Sequence, residues 1–320
     1  MSWFLYAIVA TLSWGLADIF YKKSSDEDDR YSHLKIAVCV GFVMGVCSAV
    51  LLIFSGEKMS TAFLLGSAVR YLPASFSYIA SMVIGYAGMR YLELSVISPV
   101  QNASGALSTA VMLVFFILSG KGQRISEAFS ALDIAGTLII ISGVIMLAFV
   151  EKKTANAEKS LSKEERKYKI GALALMFPLL YCVFDTLGTA YDGIILDGES
   201  GLSLSEIQVL ILYGLTFFFF GLCAYLYMLI KLKKPYNPFS KKEVSKWSAA
   251  MCEEFGQFFY VFAMASNPVL AAPMIASYCI VSVLLSRVIL KEKLSRAQYL
   301  CVITVISGIV LLGISEGLSS

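Results

Sequence analysis

The chain reads as an all-α integral membrane protein with ten transmembrane helices, arranged as two inverted five-helix repeats. Three observations predict this. Hydrophobic residues fill 58% of the 320 positions and charged residues only 15%, against roughly 25% charged in a soluble domain. The apolar residues gather into ten stretches of about 20 residues, the length at which a helix crosses about 30 Å of hydrocarbon. The last two stretches also repeat a pattern used by the fourth and fifth. Pro99 and Pro273 open one stretch, and Ser142-Gly143 and Ser307-Gly308 lie in the next.

In order, the expected spans are 3–22, 34–55, 66–90, 95–119, 129–150, 168–191, 204–230, 246–266, 269–290 and 296–316. The first has no basic leader and no small-residue cleavage site, so it reads as a retained helix and not a signal peptide. It carries Trp14 and Asp18, with Lys22 four residues on, the orientation of an i,i+4 ion pair. The third holds Tyr71, Ser75, Tyr78, Ser81 and Gly85. In the fourth, Gln101, Ser104, Gly105 and Ser108 fall at i, i+3, i+4 and i+7, with Asn102 beside them. The polar segment 151–169 then joins a first repeat, 1–150, to a second, 170–320.

The sixth span places Tyr181 and Asp185 at the spacing of Trp14 and Asp18. They follow Pro178, whose missing N–H would free a carbonyl and kink the helix. Asp192 and Asp197 fall at its end or in the next loop, where solvation accounts for them. The seventh contains Phe217, Phe218, Phe219 and Phe220, a lipid or packing surface like Phe115, Phe116, Phe258 and Phe259. The eighth carries Glu253 and Glu254, and the ninth carries Ser277, Tyr278 and Ser282. Continuous apolar runs without period-2 alternation exclude a β-barrel. Aligning Pro99 with Pro273 also aligns Tyr86 with Tyr260 and Ser108 with Ser282. An odd number of helices per half makes the second half enter the membrane in the opposite sense.

Charge and cysteine bound the setting. Of 26 basic residues, only Lys58, Arg70, Lys121 and Arg124 belong to the even-numbered loops or their edges, and the other 22 belong to the odd-numbered ones. The positive-inside rule then places the odd loops in the cytoplasm and both termini outside. Arg70, Arg90 and Arg287 near span ends fit snorkelling to the interface. All seven cysteines lie in apolar spans without a CxxC or a histidine at metal spacing, which suits small packing residues. The net charge of +3 is spread over loops between spans and points to no nucleic acid.

Ionisable groups inside spans are costly and therefore mark candidate sites. On the eighth helix Glu253 shares a face with Ala249, Ala250, Gly256, Gln257 and Tyr260, opposite Met251, Phe255, Phe258 and Phe259. It either points into the bundle with Glu254 flanking it, or both acids sit wet at a helix that begins later. Glu253, Asp185, Asp18 and Glu254 are the candidates for ion coupling or charge pairing. Trp14, Tyr78, Gln101, Asn102, Ser104, Tyr181, Gln257, Tyr260 and Tyr278 are the candidates for substrate contact. Small residues also serve close helix packing, whereas Gln and Asn need partners or a watery cavity.

The chain resembles the drug/metabolite transporter superfamily, specifically its EamA-type ten-helix members, over nearly its whole length. The residues that carry the resemblance are Ser13-Trp14-Gly15, the proline-opened helices four and nine, Leu290-Lys291-Glu292-Lys293-Leu294-Ser295 and the following Ser307-Gly308. The equivalent first-half turn, Gly120-Lys121-Gly122-Gln123-Arg124-Ile125-Ser126, lacks the glutamate. The resemblance implies cytoplasmic termini, opposite to the basic-residue count.

These readings converge on a secondary transporter of a small organic solute in the cell membrane. It works by alternating access, as a monomer or homodimer, with neither cofactor nor metal. Buried acids beside aromatics suit a cationic or zwitterionic solute. The same carboxylates could instead bind a coupling proton. The alternative is an integral-membrane enzyme or sensor without transport activity. The sequence has no HExxH, no Gly-rich loop and no histidine besides His33.

Overall fold

The apolar stretches become long helices because only a helix satisfies its own backbone polar groups in the absence of water. The computed structural model describes residues 2–26, 28–56, 59–121, 129–161, 174, 176–197, 201–202, 204–232, 235–292 and 294–319. These contain ten helical rods and no strand among the described residues. The first five are α1 (Trp3–Ser24), α2 (Ser32–Phe54), α3 (Thr61–Gly88), α4 (Leu94–Asn102 continued by Ser104–Phe116) and α5 (Ala131–Leu161). The second five are α6 (Met176–Ile195), α7 (Glu206–Leu232), α8 (Val244–Ser266), α9 (Pro268–Ala276 continued by Tyr278–Leu285) and α10 (Arg296–Ser319).

Seven of these rods are long and apolar enough to cross a membrane, which makes the chain a membrane protein. The exceptions are α3, α6 and α8. Of these, α6 and α8 bring Asp185, Asp192 and Glu253 to the middle of the bundle, whereas Arg70, the one charged residue of α3, is exposed.

The rods pack in pairs that join the first five to the second: α1 with α8, α3 with α6, α2 with α7, α5 with α10, and α4 with α9. Small residues allow the close crossings. A Cβ on Gly41 would lie 2.6 Å from the Phe217 carbonyl oxygen and 3.1 Å from Gly221 Cα, so α2 and α7 meet backbone to backbone. The Ser-Gly motifs have the same purpose between α5 and α10. A Cβ on Gly308 would lie 2.8 Å from the Gly136 oxygen, and one on Gly143 would strike Val305.

Both α4 and α9 break one turn beyond an internal proline, at Ala103 after Pro99 and at Ser277 after Pro273. Their N-termini are capped differently. Glu292, from the loop before α10, accepts from the backbone N–H of Leu94 at 3.2 Å and of Ser95 at 3.1 Å. It neutralises the exposed donors and the positive end of α4. The α9 terminus uses its own Asn267, which accepts from Leu270 N–H at 3.3 Å. Capping pairs Ser130 with Asp133 and Ser295 with Gln298 start α5 and α10.

Several expectations need revision. Helix α5 runs on to Leu161, so the first part of the segment read as a linker is helical, and 162–169 lie outside the described residues. Pro178 occupies the first turn of α6, where its missing N–H frees no carbonyl. Residues 122–128 of the first-half turn also lie outside the described residues.

Candidate functional site

The inward faces of α1, α3, α4, α6, α8 and α9 enclose a carboxylate and aromatic centre. Helix α8 begins at Val244, so Glu253 lies in its third turn and is only 3% exposed. This settles the choice between a buried and a wet acid. Its two oxygens accept from Tyr78 Oη at 2.9 Å and Tyr21 Oη at 3.2 Å, and Tyr86 Oη donates to Tyr21 Oη at 3.1 Å. Its backbone carbonyl accepts from Trp14 Nε1 at 3.2 Å. Gly256 makes that contact possible, since a Cβ there would collide with the indole ring.

Asp18 accepts from Ser282 Oγ at 2.6 Å and Ser98 Oγ at 2.7 Å. Asn102 steadies this arrangement by donating to the Ser98 carbonyl at 2.8 Å. Lys22 is directed elsewhere, to the carbonyls of Met89 at 2.6 Å and Leu92 at 2.7 Å, so the expected i,i+4 pair with Asp18 gives way to a cap on the end of α3. Asp185 accepts from Ser104 Oγ at 2.6 Å. Glu254 is half-buried beside Cys47 of α2, away from the Glu253 cluster.

Asp192 is the residue that the sequence reading missed. It is 2% exposed, not solvated, and accepts from Tyr71 Oη at 2.9 Å and Tyr260 Oη at 3.2 Å. Its signal was present as helical spacing, because Tyr181, Asp185, Thr189 and Asp192 follow one face of α6. Tyr21 stands likewise one turn beyond Asp18.

Two small cavities, each about 20 Å³, flank the middle of the bundle. Trp14, Tyr78, Tyr181 and Tyr278 line both and form the partition between them. Asp18, Glu253 and Gln101 lie on one side, and Asp185, Asn102 and Ser104 on the other. Each cavity has room for about one water molecule, since one needs roughly 10–15 Å³. Neither cavity has room for an organic molecule with the rings as they stand.

The polar groups of this centre are incompletely satisfied. Gln101, 1% exposed, leaves its Nε2 without a partner, and Gln257, fully enclosed one turn after Glu253, leaves both amide atoms unpaired. Gly85 gives room to the Gln101 amide and the Tyr181 ring. Among the described residues, the partners of Asp18, Asp185, Asp192 and Glu253 are hydroxyl groups, and no basic side chain lines either cavity. Three buried acids and the half-buried Asp185 without a basic partner are unfavourable when ionised unless positive charge balances them.

Near the Glu253 end, three loops interlock. Arg90, only 8% exposed, donates to the carbonyls of Asp26 at 3.0 Å and Arg30 at 3.3 Å, so it ties loops together and does not snorkel. Lys22 and Glu292 grip the same α3–α4 connection from two sides. Partial burial opposes ionisation of Asp29 in the α1–α2 loop. Lys35 Nζ at 2.6 Å and the Tyr31 N–H at 3.0 Å outweigh it and hold the carboxyl below its ordinary value.

No protein-family model matches the chain, and no curated protein matches it. A solved structure described only as "Crystal structure of protein" is similar at 11% identity, over 99% of each chain, with a TM-score of 0.61. At that identity the similarity is one of fold.

Proposed function

We propose that the chain is a secondary transporter of a small organic cation, working by alternating access in the cell membrane. It is a ten-span protein of the drug/metabolite transporter type, built from two inverted five-helix repeats. The observation that carries this reading is the enclosed centre itself. The buried Asp18, Asp192 and Glu253 and the half-buried Asp185 face aromatic rings, and no basic group among the described residues lines either cavity. A cation or protons supply the missing charge, and Trp and Tyr faces add cation–π attraction of about 0.5–2 kcal/mol each.

The helix pairing supports the duplication. Exchanging each of the first five helices with its counterpart five positions later maps α1–α8 onto α6–α3. It leaves the α2–α7, α4–α9 and α5–α10 pairs as they are. The breaks at Ala103 and Ser277 coincide when Pro99 is laid on Pro273. Glu253 is the proposed coupling group, since it can exchange a proton against a bound cation. Tetraethylammonium uptake into proteoliposomes, driven by an acidic interior, tests the reading. The wild type accumulates the cation and Glu253→Gln does not. Equal accumulation by both, or none by the wild type above protein-free liposomes, overturns it.

A further inference from the structure

The two cavities are alike in chemistry and separated by one layer of rings. Trp14 and Tyr181 belong to that layer, and one helical turn from each stands an acid in a different cavity: Asp18 in the first, Asp185 in the second. A turn of helix rises about 5.4 Å, so the two acids lie about 11 Å apart along the bundle axis before their side chains lean back toward the layer. A monovalent cation satisfies only one of these ends at a time.

Gln101 adds an independent sign of a ligand. Its amide is buried against the first cavity beside Asp18 and Glu253, with a polar atom that finds no partner in the protein. Amide oxygen and nitrogen exchange by a half-turn of the side chain, so the same group can turn its oxygen to an ammonium.

Resting on the transporter reading above, we propose that the preferred substrate is a linear aliphatic diamine that bridges both cavities. One ammonium lies between Asp18 and Glu253 and donates to the Gln101 oxygen as a third partner. The methylene chain threads the Trp14, Tyr78, Tyr181 and Tyr278 layer, where CH₂ groups suit the ring faces. The second ammonium meets Asp185 and Ser104. The span between the acids, shortened by the reach of two carboxylates, fits a chain of about four to six carbons.

Calorimetric titration of the purified protein with 1,2-diaminoethane, 1,5-diaminopentane, 1,8-diaminooctane and pentylamine tests this. The expected result is binding of 1,5-diaminopentane at least tenfold tighter than pentylamine and than either the short or the long diamine. Asp185→Asn should bring the five-carbon diamine to within threefold of pentylamine, both measured in that variant. Equal affinity for pentylamine and the diamine overturns the bridging substrate but leaves cation transport standing. An unchanged diamine affinity in a folded Asp185→Asn does the same. Absence of binding by every amine, together with no tetraethylammonium accumulation, overturns both. The chain-length profile of the wild type decides the matter even where a variant fails to fold.

Discussion

At one end of the centre Glu253 accepts hydroxyls from Tyr21 and Tyr78, and at the other Asp192 accepts them from Tyr71 and Tyr260. The chemistry is the same, a buried carboxylate held by two phenols from two other helices. The positions are not equivalent. With Pro99 laid on Pro273, Glu253 falls opposite Ile79. With Asp18 laid on Asp185, Asp192 falls opposite Ser25. The surroundings differ too. Glu253 lines a cavity beside Asp18, whereas Asp192 lies beyond the residues that line the second cavity. On the proposed transporter reading, the scaffold carries two closures built from separate acids, and only the Glu253 one also lines a cavity.

The sharpest way to break this comparison is to neutralise each acid alone. Glu253→Gln should weaken tetraethylammonium binding more than tenfold by calorimetry, whereas Asp192→Asn should leave binding within about fivefold. Both variants should lose transport. Equal loss of binding in the two erases the distinction.

Next in size are the phenols. Tyr78→Phe and Tyr71→Phe each leave a buried carboxylate oxygen without its donor, at a cost of about 1–3 kcal/mol. Tyr86→Phe removes a bond between two neutral hydroxyls and should cost about 0.5–1.5 kcal/mol. Denaturant titration in detergent reads all three, and a Tyr86→Phe effect as large as the others contradicts the ranking.

The helix caps come third. Glu292→Ala and Asn267→Ala should each cost about 0.5–2 kcal/mol. The former should be the larger, since Glu292 satisfies two N–H groups and ties the last loop to α4. The smallest effect belongs to Asp29. Its carboxyl is held below its ordinary value, so the stabilisation is present at neutral pH and fades as pH falls through that lowered value. Asp29→Asn should cost at most about 1 kcal/mol at pH 7. Its melting temperature should converge with that of the wild type in acid, and a gap that widens in acid contradicts the assignment.

Much of this architecture was legible from residue chemistry. Hydropathy located the ten helices, and Pro99 and Pro273 marked the two broken rods. Helical spacing pointed Glu253 inward because its neighbours on that face are small or polar. Asp192 escaped because it was judged by its distance from the end of an apolar run. The helix continues to Ile195, and two tyrosines from distant segments enclose the acid. Lys22 and Arg90 escaped for a related reason. Their partners are backbone carbonyls of neighbouring loops, and a carbonyl leaves no signature in the side-chain sequence. Glu292 stood out as a motif residue, but its role as a cap on α4 depends on a contact 198 positions away.

The most direct test of the two-closure account is the sidedness of its cavities. In a chain with its seven cysteines replaced, Met82→Cys reports the Glu253 side and Thr189→Cys the Asp185 side, each against a membrane-impermeant thiol reagent in proteoliposomes. The account predicts that each cysteine is labelled from one face only, the two from opposite faces. It further predicts that 1,5-diaminopentane slows both reactions. Labelling of either cysteine from both faces at once would indicate an open pore, and labelling of both from the same face would contradict separate closures at the two ends.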